Sequence, residues 1–355
     1  MELIVLDTSL KMLSVLDTFE SLIWTERYSA YGDFEVYTSI DDSILEILKD
    51  DYYLWLKESD QTMLIEDRKI ESDAENGSHF TVTGRSLESI LERRIIWKQT
   101  ILSGNFQNGI KKLLDENIIN PSDVSRKVEG LIFEASTDPA ITALTVDAQF
   151  TGDNLYDAIK KLCDSKNIGF RIKLSDDNKF VFKLYAGADR SYDQFTNPYV
   201  IFSPKFENVI NTNYLESKKT LKTVTLVAGE GEGADRRTTT VACSSGAGTG
   251  LNRRELYTDA RDVSSTVDNE TLTDAEYKAQ LSQRGSENLA ENVLTKTFEG
   301  KVETTRMYRY GEDFFLGDMV QIVNEYGIEG KARVTEFIRS QSKEGLDSYP
   351  TFVTI

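Results

Sequence analysis

Apolar residues return at every second position through most of the first 86 residues, the period of strands with one buried face. The segments "ELIVLD", "LSVLDTF", "SLIWTERYS", "DFEVYTS", "DYYLWLKES", "TMLIEDRKIES" and "HFTVTGRS" all carry it. "DDSILEILKD" and "SLESILERR" break the alternation and predict short helices. The period then shifts toward 3.6. In "NFQNGIKKLLDENII", Phe106, Ile110, Leu113, Leu114 and Ile118 share one helical face that ends before Pro121. In "DNLYDAIKKLCDSKN", Asp153 is the expected N-cap for a stripe of Leu155, Ile159, Leu162 and Cys163. The strands "GFRIKLS" and "KFVFKLYA" follow, joined by the turn residues Asp176, Asp177 and Asn178. Residues 98–197 therefore read as a separate α+β lobe.

After Pro204 the strand period returns in "ENVINTNYLES" and "KTVTLVAGEG", then breaks at a Gly/Ser/Thr-rich segment, 229–250, which reads as a flexible loop. One long helix is expected over 273–296, opened by the capping box Thr273-x-x-Glu276 despite Gly285 inside it. Strands and turns complete the chain. The predicted class is α+β, predominantly β.

One corner is written twice. Tyr31-Gly32-Asp33-Phe34 is answered by Tyr310-Gly311-Glu312-Asp313-Phe314, and "KDDYYLWLKESDQTMLIEDRKIES" aligns with "LGDMVQIVNEYGIEGKARVTEFIRS". The glycine admits a tight turn, the aromatics pack over it, and the acid accepts backbone N–H groups. Two explanations stay open: a chance likeness between β corners, or an internal repeat of two β-barrel-like domains flanking the inserted lobe.

Composition narrows the function classes. The 355 residues suffice for two or three domains, and 10% aromatic residues are those of a folded chain. The formal net charge of −18 argues against tight nucleic-acid binding, which needs clustered Lys and Arg, but is compatible with a wall that DNA passes. No stretch is long and apolar enough to span a bilayer, and Glu2 and Asp7 lie where a signal peptide carries positive charge. Cys163 and Cys243 read as two free thiols of a cytoplasmic fold.

Catalytic chemistry is hard to assemble. The single histidine, His79, supports neither a His-based triad nor a multi-histidine zinc site. No carboxylate spacing singles out a glycosidase pair. "GEGEG" and "GAGTG" lack the Lys-Ser/Thr of a phosphate loop, and Glu230 and Glu232 would repel phosphate there. The pairs Asp41-Asp42, Asp50-Asp51 and Asp176-Asp177 lack the calcium-loop pattern and read as turns and caps, while Arg236, Arg237, Arg253 and Arg254 read as loop charges or as contacts for an acidic partner. No metal, nucleotide or other cofactor is expected.

Trp24, Arg27-Tyr28, Gly32-Asp33-Phe34 and Gly84-Arg85-Ser86-Leu87 occur in an order that resembles the opening of tail-hub proteins of long-tailed bacteriophages and phage-tail-like particles, and Tyr308–Asn324 resembles the closing pattern of that family. The resemblance implies two tail-tube-like β-barrel domains. The first would span 1–97, completed by strands from about 198–220, and the second 221–355 with the long helix. It further implies a homotrimer that joins a hexameric tail tube or distal tail ring to a spike or tip fibre. The tape measure protein would lie nearby, DNA would pass only in transit, and this chain would not insert into a membrane. The location would be the virion's baseplate or tip, assembled in the host cytoplasm. No catalytic residues carry over; the structural corners Tyr31, Gly32, Asp33, Phe34, Tyr310, Gly311, Asp313 and Phe314 are the candidate sites. A tail-associated glycan- or peptide-cleaving enzyme and a monomeric ligand-binding module are the competing classes.

Overall fold

A computed structural model describes residues 1–73, 77–267, 270–302 and 307–354. The alternating N-terminal segments form β1 (Leu3–Leu6), β2 (Met12–Leu16), β3 (Ser21–Arg27), β4 (Asp33–Ser39), β5 (Tyr53–Leu56), β6 (Thr62–Asp73) and β7 (Gly77–Ser86), with the short helix α1 (Asp42–Ile47) between β4 and β5. Asp41 caps α1 through the Ile44 N–H at 2.8 Å, so this acidic pair does serve as a cap. Leu22, Trp24, Phe34, Val36, Phe80 and Val82 project from one side of these strands into a common core. "SLESILER" becomes a 3-10 helix, Leu87–Arg93, that buries Leu87, Ile90 and Leu91 against the next lobe.

That lobe contains β8 (Thr100–Asn105), α2 (Phe106–Leu114), β9 (Leu131–Glu134), α3 (Pro139–Thr142), β10 (Thr145–Phe150), α4 (Leu155–Ser165), β11 (Gly169–Leu174) and β12 (Phe180–Tyr185). The predicted stripe of α2 is buried from Phe106 to Leu114, and a π-helical turn carries it to Ile119. Asn154, rather than Asp153, caps α4 by accepting the Tyr156 N–H at 2.9 Å. Asp153 lies one residue before the cap position and instead accepts the Thr151 N–H at 3.1 Å.

The chain then forms β13 (Ile201–Phe202) and β14 (Val209–Ser217). Next comes an α+β insertion of β15 (Val224–Ala228), β16 (Thr238–Ala242), β17 (Glu255–Asp259), the two-residue strands β18 (Thr266–Val267) and β19 (Glu270–Thr271), and α5 (Asp274–Ala290). The Gly-rich segment read as a flexible loop thus supplies a strand, β16, which pairs with β15. The capping box of α5 forms, with the Glu276 N–H donating to Thr273 Oγ1 at 3.3 Å and the Thr273 N–H to Glu276 Oε2 at 2.9 Å. The helix stops at Ala290, not 296, and the chain enters β20 (Thr295–Val302), where pairing with β14 replaces helical bonds. Val227, Ala260, Val263, Tyr277 and Leu281 give this insertion its own core. Finally β21 (Met319–Val323), β22 (Glu329–Ser342) and β23 (Gly345–Thr354) follow.

Thirteen strands join one sheet in the order β14-β20-β23-β22-β3-β4-β7-β6-β5-β1-β2, with β21 pairing β22 and β13 pairing β21. The order β3-β4-β7-β6-β5 in the first half is repeated by β14-β20-β23-β22-β21 in the second. The central strands β6 and β22 even carry their register shift at matching places, after Ile65 and after Val334. Two expectations need correction. The strands within 198–220 belong to the second half, since β13 pairs β21 and β14 pairs β20. Among the described residues no pairing closes either half into a barrel, because β3 and β22 join the halves into one open path.

Candidate functional site

The two halves meet where β3 lies antiparallel to β22, from Arg27 opposite Glu336 to Ser21 opposite Ser342. Alternation in "SLIWTER" puts Leu22, Trp24 and Glu26 on the buried face, so a carboxylate enters the seam with 3% exposure. Such a charge is tolerated only when paired and hydrogen-bonded. Glu26 pairs with the Arg339 guanidinium, and accepts Ser59 Oγ at 2.7 Å and Tyr310 Oη at 3.1 Å. Trp24 Nε1 donates to the same Ser59 hydroxyl at 3.2 Å. One carboxylate therefore ties β3, the β5–β6 turn, β22 and the second corner together.

The two corners look alike in sequence and differ physically. At the first, the Gly32 N–H donates to Ser86 Oγ at 2.7 Å and its carbonyl accepts the Ser86 N–H at 2.9 Å. A Cβ on Gly32 would lie 2.2 Å from the Thr25 carbonyl oxygen, so close approach requires the glycine. Asp33 pairs with Arg27, whose Nε also reaches Glu336 at 2.6 Å across the seam. Tyr31 packs on Tyr156 of the lobe at 4.9 Å, beneath Arg85, and Phe34 is buried 6.0 Å from Trp24. At the second corner Gly311 has φ +87° with open space around a Cβ, and left-handed backbone is what requires it. Its N–H donates to the Phe314 carbonyl at 2.9 Å, and Asp313 accepts the Arg309 N–H at 2.7 Å. Tyr310 stacks on Phe337 at 3.9 Å, and burial raises its hydroxyl pKa. Phe314 is fully buried against Phe202.

The corners also occupy different places in the repeated strand order. Gly32 lies between β3 and β4; Gly311 lies between β20 and β21, the place held by α1 in the first half. The aligned segments downstream of the corners are the ones in equivalent positions, forming β5–β6 and β21–β22.

A third junction is built on Tyr28, which the sequence marked only as part of the Arg27-Tyr28 motif and without a partner. Tyr28 is 4% exposed, donates from Oη to the Asn167 carbonyl at 2.9 Å, and accepts Tyr185 Oη at its own carbonyl at 2.9 Å. Glycines clad this pair: a Cβ at Gly169 or Gly317 would come within 2.4 Å of the Tyr28 ring. From the first corner, Ser86 donates onward to Glu88, which accepts the Ile172 N–H at 2.6 Å. Full burial raises the Glu88 pKa against the opposing effect of these bonds.

Residues considered for chemistry have structural places. His79 stacks on Tyr37 at 4.9 Å beside Glu20. Arg236 donates to the Gly229 carbonyl at 2.7 Å and pairs with Asp259, Arg237 lies over Tyr277 at 4.0 Å, Arg253 pairs with Glu255, and Arg254 donates to the Lys218 carbonyl. Cys163 is buried and Cys243 half-buried, both unbridged. Among the described residues no group of three His, Cys, Asp or Glu could hold a metal, and no helix is long and apolar enough to cross a membrane. A cleft of about 800 Å³ between α4, the end of α5 and β22 is lined by Tyr28, Asp164, Asn167, Glu291 and Arg333.

Comparison with known proteins gives these features a context. The solved tail protein from Neisseria meningitidis MC58 covers 99% of this chain over 96% of its own length, at TM-score 0.60 and 13% identity. The prophage MuSo2 43 kDa tail protein from Shewanella oneidensis covers 100% over 98% of its length, at 0.61 and 12%. The prophage tail protein gp18 from Listeria monocytogenes EGD-e covers 99% over 94%, at 0.58 and 14%. At such identities the likeness is one of fold. Among curated proteins no relative is matched. The family model described as Siphovirus ReqiPepy6 Gp37-like protein matches residues 2–352, so the chain belongs to that family.

Proposed function

We propose that this chain is the hub of a phage tail or tail-like particle, a structural ring of three copies that adapts a sixfold tube to a threefold spike or tip. The observation that carries the proposal is the strand order written twice, β3-β4-β7-β6-β5 and β14-β20-β23-β22-β21. Two tube-like units per chain make six in a trimer, while the lobe and the β15–β17 insertion differ and leave the other side with threefold symmetry. In this reading the corners Gly32 and Gly311 hold the junctions that keep the two units in register. The tail tube or distal tail ring sits on the sixfold side, the spike or tip fibre on the other, and the tape measure protein and DNA pass through a lumen whose acidic lining repels phosphate. The role is architectural rather than catalytic, and the place is the virion, built in the host cytoplasm.

Cryo-electron microscopy of the native particle tests it. Three copies around a lumen with more carboxylates than basic groups are expected. One copy, six copies, or a lumen lined by Lys and Arg overturn the reading.

A further inference from the structure

The second half of the sheet uses one edge of β22 for two partners, whereas its counterpart β6 leaves part of that edge bare. On β22, Glu329–Arg333 pairs with β21 and Glu336–Ser342 pairs with β3. On β6, Thr62–Leu64 pairs with β5. Beyond its bulge, Asp67–Asp73 pairs with β7 on the other edge, and among the described residues no strand takes the near edge. Every residue from Asp67 to Ser72 is exposed, Ile70 by 55%. The counterpart of β3 is β14, which ends the sheet with its outer edge unpaired by any described strand and with Leu215 50% exposed. Open, partly apolar edges are sites of strand addition.

We propose that a second copy of this chain lays its β14 along the bare edge of β6, repeating between chains the β3–β22 seam that exists within one. The proposal deepens the hub reading, on which it relies only for closure after three copies.

The register follows from matching the bulges. Asp67 takes the place of Glu336, Arg68 of Phe337, Lys69 of Ile338 and Ile70 of Arg339. Through the pairs Trp24–Phe34–Gly84 and Tyr214–Phe298–Phe352, Tyr214 takes the place of Trp24, Leu215 of Thr25 and Glu216 of Glu26. Arg68 then faces Glu216, Lys69 faces Leu215, and Ile70 faces Tyr214 of the next chain. Within the chain, the seam couples Arg339 to Glu26 beside Phe337. Between chains the arginine and the apolar residue have exchanged places, Arg68 and Ile70 for Phe337 and Arg339, and the glutamate has kept its own. Each seam thus holds one Arg–Glu couple and one apolar contact on the same face. Antiparallel strand addition of this kind is heterologous, so it propagates from chain to chain until a ring closes.

Disulfide trapping tests the contact in a Cys243→Ser background, with Cys163 buried. Lys69→Cys and Leu215→Cys chains, mixed and oxidised, are expected to give a covalent dimer that neither gives alone. The double variant is expected to give a covalently closed trimer on a non-reducing gel. Glu216→Arg is expected to cut the trapped product at least tenfold, and adding Arg68→Glu to restore it. Absence of trapping while the particle still shows three copies overturns the strand pairing and leaves the hub reading standing. An open ladder of trapped chains supports the pairing and overturns threefold closure.

Discussion

The two strand units share an order but not an edge. In the second unit the late half of β22 is covered by β3, with Phe337 3% exposed and Arg339 tied to Glu26. In the first unit the matching half of β6 lies bare from Asp67 to Ser72. The neighbouring strand, not the strand's own pattern, sets the seam. Both central strands are long, alternating and bulged after an aliphatic residue, so local sequence makes both strands; a partner strand decides which buries a charge pair.

Breaking that pair should have the largest effect on stability. Arg339→Leu leaves Glu26 buried without its counter-ion and should cost about 4 kcal/mol of unfolding free energy. Ile70→Ala, at the matching position of β6, should change the isolated chain by less than about 0.5 kcal/mol. Chemical denaturation of the two variants measures this, and equal losses would show that the positions are not different in kind.

The corners give the next contrast. Gly32→Ala forces a methyl onto the Thr25 carbonyl and should cost about 3 kcal/mol. Gly311→Ala meets no neighbour and pays only for left-handed backbone, about 1 kcal/mol. Thermal melts should rank them in that order; a reversed order would mean that left-handed backbone at the second corner outweighs crowding at the first.

A smaller effect concerns pH. The Glu88 carboxyl has a raised pKa in the folded chain because burial disfavours its charge. The folded state then binds more protons than the unfolded one above the ordinary carboxylate range, so this group makes stability fall as pH rises through that interval. Glu287, raised by burial beside Arg284, adds a slope of the same sign. Glu88→Gln should make the unfolding free energy fall less with rising pH above the ordinary carboxylate range than in the parent, as read from denaturation at several pH values. An unchanged slope would mean that Glu88 is ionised across this range in both states.

Much of the architecture was legible along the chain because periodicity is local. The strands of the first unit, the lobe helices, the capping box at Thr273 and the hairpin at Asp176–Asn178 all follow from residues within one or two turns of one another. The likeness of "DDYYLWL" and "GDMVQIV" also marked strands that hold equivalent places. The glycine corners misled as a sign of that repeat, since one glycine serves close packing and the other a positive φ, and sequence writes both as Gly. Alternation did place Glu26 among inward residues, but nothing local named Arg339, 313 positions away, as its partner. Likewise the Tyr28–Tyr185 joint and the transfer of β13 and β14 to the second half depend on chain segments far apart in sequence. Spacings of two to four residues were enough to specify most strands and helices and their apolar faces, because that information is local, while β16 and the end of α5 depend on pairing partners. Which strands are neighbours, which corner crowds its glycine and which half keeps a bare edge came from the packed fold, because pairing depends on what the rest of the chain brings alongside.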